Sequence, residues 1–259
     1  MCIVSNIMNF KKNDTNKTLL YGFHAVREAW LNPDRTIEQL FLTDHSAKNF
    51  ESVLSEAKAK GLRRPPPSHV DKKKLDKTLP TGAVHQGLGL IASDLPEQDI
   101  HDFARRAELS GKSVLVMLDQ VTDPHNVGAI IRSACAFGAD GIIMQKKHAP
   151  TLDGVLAKTA CGAVEHVPVA YETNLSRALE SLKEAGYFVY GLDERGEKTI
   201  DALRGDRPEK IVLVLGAEGP GIRHLVRENC DELMKLPTTG EISSLNVSNA
   251  AAVALFCCQ

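Results

Sequence analysis

Short apolar runs alternate with helix-like segments from residue 113 to the end of the chain. The runs have the composition of strands that are buried on both faces of a parallel sheet: Val114–Leu118, Gly141–Met144, Val167–Val169, Tyr187–Gly191 and Ile211–Leu215. Helix-like segments lie between them at 126–138, 153–160 and 174–186. This alternation predicts an α/β fold, a parallel sheet with helices on both faces. A last helix, from about 245 to 257, is apolar on nearly all sides and is expected to be buried against the sheet or a partner.

The front of the chain predicts a separate, smaller α/β unit. It contains strand-like and helix-like stretches at Leu19–Gly22, 23–31, Ile37–Thr43, 47–60 and Gly87–Ala92. Residues 94–112 are charged and lack a strong apolar pattern, which indicates a linker that is partly helical. The predicted organisation is therefore a disordered leader at 1–16, one domain at 17–94, a linker at 95–112 and a second domain at 113–259.

Composition narrows the class of protein. With 43% hydrophobic and 25% charged residues among 259, the chain is typical of a globular protein without membrane spans, since no apolar run approaches the ~20 residues that a bilayer needs. The net charge of −2 gives no general attraction to polyanions, so a nucleic-acid contact needs a local basic patch. The six cysteines have no metal-ligand spacing, which predicts reduced thiols, a cytoplasmic protein and no metal.

Three polar patches follow apolar strands and open helix-like segments. They are Asp123–Gly128 running on to Arg132, Leu215–Gly221, and Ser243–Ser248. Ligands in open α/β sheets bind at the carboxyl ends of the strands, so the chemistry of the protein is expected at these patches.

Each patch has a structural alternative. Asn126 stands where a helix cap is expected, and the third patch has more hydroxyls and amides than one cap requires. Arg132 lies in an otherwise apolar helix. It can extend to solvent or pair with a carboxylate such as Glu218 or Asp119.

The glycines of the second patch have the spacing G-x-x-G-x-G, which differs from the dinucleotide fingerprint G-x-G-x-x-G. A nicotinamide-dependent oxidoreductase is therefore disfavoured. Glu218, between the glycines, would repel a phosphate, so the loop better suits a cation, a ribose hydroxyl or Arg132. A plain turn with an exposed acid is the alternative.

The series D-P-x-N-x-G-A-x-x-R, L-G-A-E-G-x-G and S-L-N-V-S resembles the three motifs of the SpoU-type RNA 2′-O-ribose methyltransferases of the SPOUT superfamily. The resemblance extends to Lys158-x-x-Cys161-Gly162-Ala163-x-Glu165 and implies a C-terminal sheet with a deep trefoil knot. At the front, Leu20–Val26 and His85-Gln86-Gly87 resemble the RNA substrate-binding domain of bacterial rRNA guanosine 2′-O-methyltransferases. That domain is similar to ribosomal proteins that bind kinked RNA.

The resemblance implies S-adenosylmethionine as cofactor, a homodimer, and large-subunit rRNA as substrate at a guanosine. The residues that match cofactor-binding positions are Leu215, Gly216, Gly219, Leu236, Pro237, Ser244, Leu245 and Asn246. Those that match catalytic positions are Arg132, Asn126, Glu218, Ser244 and Asn246. Because a guanidinium is a poor base, Arg132 is expected to orient the ribose hydroxyl and stabilise its oxyanion rather than remove its proton. After Pro237 the chain departs from the family pattern with Thr238–Glu241, which predicts altered contacts to the cofactor.

Basic residues between 58 and 77 give a local signal for RNA. The predicted RNA-binding residues are Arg63, Arg64, Lys72, Lys73, Lys74, His85 and Gln86. A solvated helix face is the alternative for the cations, and a turn cap is the alternative for His85-Gln86. Transfer RNA remains an alternative substrate, and a non-catalytic RNA-binding or ribosome assembly factor remains an alternative function.

Overall fold

The computed structural model describes residues 17–205, 207–241 and 244–259. The chain folds as two compact units. The first contains the described residues up to Pro96 together with Leu152–Glu165, and the second contains Glu97–Thr151 and His166–Gln259. The predicted leader at 1–16 lies outside the described residues.

The strands among the described residues are β1 (Lys17–Tyr21), β2 (Ile37–Leu42), β3 (Ser68–His69), β4 (Leu88–Ser93), β5 (Ser113–Asp119), β6 (Gly141–Gln145), β7 (Val169–Glu172), β8 (Phe188–Leu192), β9 (Lys198–Thr199), β10 (Lys210–Gly216) and β11 (Glu232–Lys235). The helices are α1 (Phe23–Leu31), α2 (Asp44–Ala59), α3 (Lys72–Thr78), α4 (Ile100–Ser110), α5 (Pro124–Ala136), α6 (Gly154–Thr159), α7 (Leu175–Glu184), α8 (His224–Glu228) and α9 (Val247–Cys257). None of these helices is long and apolar enough to cross a membrane.

The first unit is built on a four-stranded sheet with the order β1-β4-β2-β3. Strand β4 is antiparallel to both β1 and β2, and β3 runs parallel to β2. Helix α2 starts at a capping box in which Thr43 and Ser46 each bond the other's backbone N–H. The small N-terminal domain predicted from the sequence is present, and its lysine-rich segment forms α3.

The segment Leu152–Glu165 joins the first unit through a buried ion pair. The Glu165 side chain is fully buried and accepts hydrogen bonds from Arg35 Nη2 at 2.8 Å and from Asn32 Nδ2 at 2.8 Å. Arg35 also donates to Ser93 O. Nearby, Gly162 lies so close to α1 that a Cβ would overlap Glu28. The prediction of one uninterrupted domain at 113–259 therefore needs correction, because this stretch packs with the N-terminal sheet.

The second unit is a seven-stranded parallel sheet with the order β7-β6-β5-β10-β8-β11-β9. Helices α5 and α9 pack on each other, and α9 also packs on β10. Helix α7 packs on α4 and on α8, and all three contribute to a core with the alternate side chains of β5 and β10. The predicted parallel α/β sheet is confirmed. The knot and the likeness to kink-turn-binding proteins stay predictions.

The range 95–112 does not act as a linker. It contains α4, whose Ile100, Phe103 and Ala107 lie on one helix face and are buried in the core of the second unit. The ring of Phe103 fills the space where a side chain at Gly141 would lie. The high proportion of charged residues on the other face of α4 conceals this stripe in the sequence.

Helix α9 is buried on one face only. Val247, Ala251, Ala254 and Leu255 are in the core. Val253 and Phe256 are 39% and 52% exposed. An almost entirely apolar helix therefore presents apolar side chains to the outside.

Candidate active site

The three polar patches lie at one edge of the parallel sheet. Strands β5 and β10 are neighbours, and Asp119 at the end of β5 is in register with Gly216 at the end of β10. The first patch follows β5, and the second follows β10. The third leads directly into α9, which packs on α5 and β10. The sheet topology therefore brings the three patches together, as the sequence predicts.

Side chains from all three patches form one hydrogen-bonded cluster. Asn246 Nδ2 donates to Glu218 Oε1 at 2.7 Å and to Asn126 Oδ1 at 2.9 Å. Asn126 Nδ2 donates to the same Glu218 oxygen at 3.2 Å. Glu218 and Asn246 are exposed and Asn126 is half-buried, so the cluster faces solvent.

Helix capping explains how these amides are placed. Asp123, not Asn126, caps α5, because its Oδ1 accepts the His125 N–H at 3.0 Å and Pro124 opens the helix. The structural alternative for Asn126, a helix cap, therefore does not apply, and its amide bonds Glu218. Asn246 does cap α9, with Oδ1 accepting the Ser248 N–H at 2.9 Å. Its Nδ2 carries the contact to Glu218, so one side chain both starts a helix and joins the cluster.

Arg132 lies on α5 with an exposed side chain. Among the described residues it makes no hydrogen bond or ion pair. The expected pair with Glu218 is absent, since that carboxylate is bound by two asparagines. The other candidate partner, Asp119, is bound by Arg223. The guanidinium of Arg132 is therefore exposed and bound by none of the described side chains.

The glycine loop after β10 folds back on itself. Ala217 and Gly221 form an antiparallel bridge, and a Cβ at Gly216 would overlap the backbone of Gly221. Gly219 and Gly221 have φ of 87° and 69°, and the space where their side chains would lie is open. The loop thus leaves bare backbone beside an acid. This arrangement suits a ligand that is bound through backbone groups and carries no phosphate.

The other predicted cofactor-binding residues differ in exposure. Leu215 is buried and Leu236 is half-buried, whereas Pro237, Ser244 and Leu245 are exposed. Leu245 is 45% exposed although it is apolar. Ile242 and Ser243 lie outside the described residues. Within the described residues no group of three acidic, histidine or cysteine side chains could hold a metal ion.

Of the predicted RNA-binding residues, Arg63 and Lys72–Lys74 lie at the surface of the first unit. Arg64 does not: it donates to Trp30 O at 2.8 Å and Arg35 O at 2.9 Å, and burial lowers the pKa of its guanidinium. The prediction for Arg64 needs correction, because main-chain carbonyl groups at and just after the end of α1 bind this side chain.

The predicted pair His85-Gln86 is also engaged in the fold. His85 is buried, with Nε2 at 2.8 Å from Asp76 Oδ1, and its Nδ1 accepts the Gly87 N–H at 3.0 Å. Gln86 has a φ of 55° and accepts the Phe23 N–H at 2.9 Å, so it bonds the first turn of α1. The two family-like patterns at the front of the chain therefore meet at this contact.

A cavity of about 880 Å³ opens beside this pair. Its lining combines an aromatic ring, polar side chains and one lysine: Phe23, His45, Asn49, Lys72, Val84 and Gln86. Val84 is 62% exposed. The cavity is large enough for a small ligand or one nucleotide.

The fold and the polar cluster together define a parallel α/β protein whose candidate ligand site is built from strand-end loops and the start of α9. The chain belongs to the SpoU rRNA methylase family, whose model matches residues 113–256. A second model, for RNA 2′-O ribose methyltransferase substrate binding, matches residues 19–98.

Curated relatives agree over most of the chain. The chain is 40% identical over 242 residues to the 23S rRNA (guanosine-2′-O-)-methyltransferase RlmB of Pseudomonas aeruginosa, covering 92% of this chain and 94% of the relative. It is 38% identical over 242 residues to an uncharacterized tRNA/rRNA methyltransferase of Synechocystis. There the match covers 92% of this chain but 61% of the relative, so this chain spans less than two thirds of that protein.

Among solved structures, the SpoU methyltransferase AviRb of Streptomyces viridochromogenes, in complex with AdoMet, superposes with a TM-score of 0.75 at 22% identity. The match covers 94% of this chain and 89% of that one. This likeness shows the fold.

Sequence reasoning missed two arginines that contact buried carboxylates, Arg35 and Arg223. Their acidic partners lie 130 and 104 residues away in the chain, so no local pattern connects them. The position of Asp119, at the end of a buried strand, was the one available signal for the second pair.

Proposed function

We propose that the protein transfers a methyl group from S-adenosylmethionine to a ribose 2′-OH of RNA, at a guanosine of 23S rRNA. The observation that carries the proposal is the cluster of Asn126, Glu218 and Asn246, formed by all three family motifs. Arg132, from the first motif, is bound by none of the described residues. The relatives named as 23S rRNA guanosine methyltransferases, at 37–40% identity, support the substrate.

The reaction joins the ribose oxygen to the methyl carbon and releases one proton, while the carbon–sulfur bond breaks. When bound, S-adenosylmethionine supplies an electrophilic methyl group on a positive sulfur. Because that electrophile is already activated, the protein's main task is to position the hydroxyl for in-line attack.

Arg132 is suited to positioning and not to proton removal. A guanidinium is a rigid set of hydrogen-bond donors and a poor base. An exposed guanidinium that no described residue binds can donate hydrogen bonds to the ribose oxygen and stabilise the negative charge that develops there. The proton leaves to water or to an RNA phosphate.

The cofactor fits the loop that the structure presents. Gly219 and Gly221 leave the backbone bare, and the Glu218 carboxylate disfavours ligands with phosphates. S-adenosylmethionine has a positive sulfonium and no phosphate. The backbone after Leu215 and Leu236 and the residues Ser244–Asn246 would border it.

We also propose a homodimer formed through the outer face of α9. Phe256 lies 6.0 Å from Phe137, centroid to centroid, and Arg204 lies over its ring at 4.7 Å. This exposed aromatic group, continued by Val253, supports an interface with a second copy of the chain. Sedimentation of wild type and Phe256→Glu tests it: the variant should sediment as a monomer at concentrations where wild type is a dimer.

The RNA-binding role of the first unit rests on Lys72–Lys74, Arg63 and the cavity beside Gln86. Lys72 at the cavity edge can contact a phosphate, while Phe23 and Val84 offer apolar surface to an unpaired base. The free thiols among the described residues support a cytoplasmic location, where rRNA is made.

The decisive experiment measures tritium transfer from labelled S-adenosylmethionine into separated RNA species. Label is expected in 23S rRNA, at one guanosine. Label confined to tRNA would replace the proposed substrate. A protein that binds RNA but neither binds the cofactor in calorimetry nor transfers label would instead be a non-catalytic assembly factor.

A further inference from the structure

A buried carboxylate lies directly beneath the glycine loop. Asp119, at the carboxyl end of β5, has no solvent exposure. Its Oδ2 accepts the backbone N–H of Arg223 at 2.8 Å, and its Oδ1 accepts from Arg223 Nε at 2.7 Å. Arg223 Nη2 lies 2.7 Å from the same oxygen. One carboxylate therefore holds both the main chain and the side chain of a single residue.

These contacts fix both ends of the loop. Gly216, where the loop leaves β10, is in register with Asp119. Arg223 comes directly after the loop, and Ile222 before it is buried in the core. The bridge between Ala217 and Gly221 closes the loop between these two ends. Glu218 lies at the tip, where it meets the two asparagines.

Charge-assisted hydrogen bonds to a fully buried carboxylate are strong, and removing one partner leaves the other unsatisfied. The loop itself contains three glycines, so without this restraint it has many alternative conformations. The contact between Asp119 and Arg223 is therefore well placed to keep the loop in one conformation before any ligand arrives.

We propose that Asp119 and Arg223 are positioning residues that preorganise the glycine loop for S-adenosylmethionine. The inference rests on the proposed function and adds a pair that lies outside the three-motif cluster. If only a fraction of molecules has the loop ordered, the apparent dissociation constant rises in inverse proportion to that fraction. Saturating cofactor restores the ordered loop. Loss of the pair thus raises KM for the cofactor and leaves kcat nearly unchanged.

The test compares Asp119→Asn, Arg223→Gln and Arg223→Lys in steady-state methyl transfer, with calorimetry for cofactor affinity. Asp119→Asn places its NH2 group against one of the two Arg223 donors, the main-chain N–H or the guanidinium, and should raise KM and Kd for S-adenosylmethionine by about tenfold or more. Arg223→Gln should show a smaller increase and Arg223→Lys the smallest, because lysine keeps the charge and the main-chain bond remains. KM for RNA and kcat at saturating cofactor should stay within about threefold of wild type.

Asp231→Asn is the control, at a carboxylate with similar partners whose side chain is 23% exposed. Asp231 also accepts a main-chain N–H, from Val189 at 2.8 Å, and pairs with a cation, Lys183 at 2.7 Å. It lies where β8 and β11 begin, whereas Asp119 lies where β5 ends, so the two carboxylates are at opposite ends of the strands of one sheet. Its replacement should leave KM for the cofactor unchanged.

The outcomes separate the inference from the function on which it depends. If wild type neither binds nor uses S-adenosylmethionine, the proposed function fails. If wild type does both and the variants fold with unchanged KM, or lose kcat and thermal stability without a change in KM, the positioning role is overturned. Should Asp119→Asn not fold, the two Arg223 variants decide, since that side chain is 37% exposed.

Discussion

Two places in this molecule use the same three kinds of side chain in opposite ways. In the first unit, Asn32 donates to Glu165 at 2.8 Å, and Arg35 binds the same carboxylate. In the second, Asn246 donates to Glu218 at 2.7 Å, but the nearby arginine of the motif, Arg132, does not bind it.

Burial accounts for the difference. The side chains of Arg35 and Glu165 are 1% and 0% exposed, and the charges of such a pair must neutralise each other. Glu218 and Arg132 are exposed, so water supports each charge separately. A buried, satisfied set fixes one conformation of the chain, whereas an exposed, incompletely satisfied set can receive a ligand. Residue type alone does not distinguish a structural group from a chemical one.

The largest expected effect comes from breaking the buried pair. Glu165→Ala leaves Arg35 as an unpaired buried charge and should lower the free energy of unfolding by about 3–5 kcal/mol. Denaturant unfolding followed by circular dichroism measures it. The control Glu38→Ala, which removes an exposed partner of Lys17, should change stability by less than about 1 kcal/mol. Equal effects of the two substitutions would contradict the contrast in burial.

Arg132→Ala should have the opposite effect, a loss of activity without a loss of stability. Because the side chain is exposed and binds none of the described residues, the thermal midpoint should stay that of wild type. Methyl transfer should fall by about 100-fold or more, as when an oxyanion donor is removed from an active site. Arg132→Lys keeps the charge but loses the planar donor geometry, and should recover only part of the rate. Full activity of Arg132→Ala would remove this residue from the site.

Asn246 belongs to both kinds of group, since it caps α9 and bonds Glu218. Asn246→Ala should lose about 1 kcal/mol of stability, the usual effect of removing a cap, together with methyl-transfer activity. Asn246→Asp keeps the cap but places a second carboxylate against Glu218, so activity should fall while stability is largely retained. If the two variants lose activity only in proportion to stability, the amide contact has no chemical role.

The smallest expected effect concerns thiol chemistry. Burial raises the pKa of the Cys230 thiol to about 12 and that of Cys258 to about 11. At pH 8 almost none of either thiol is ionised, so both should react slowly with a disulfide reagent in the folded protein. Both should react at once in denaturant. Rapid labelling of either cysteine in the folded protein, located by mass spectrometry, would show that this thiol is more accessible than its burial implies.

The sequence predicted the parallel sheet and the meeting of the three patches, because buried strands and strand-end polar residues leave local signals. It did not predict the partners of single side chains. Asp123, one residue before Pro124, caps α5 in place of Asn126. Glu218 was expected to bind Arg132 because opposite charges attract. The exposed setting of both groups, which weakens that attraction, depends on tertiary structure.

The packing of α4 in the core and the placement of Leu152–Glu165 were missed for a related reason. The apolar stripe of α4 has few members among many charges, and a linker has the same composition. The anchoring of Glu165 depends on Arg35, which lies far away in the chain. A local sequence pattern cannot reveal a contact between residues that lie so far apart in the chain.

The path of Leu152–Glu165 has a consequence for how this protein can be cut and recombined. The chain leaves the second unit at residue 151 and returns to it at 166, so no single break separates the two units. A fragment that starts at residue 97 would carry Glu165 without Arg35 and the apolar face of α6 without β1. Chimeras made by exchanging the N-terminal part between relatives must therefore exchange this stretch with it. Each unit is compact in space, but neither is one continuous stretch of the sequence.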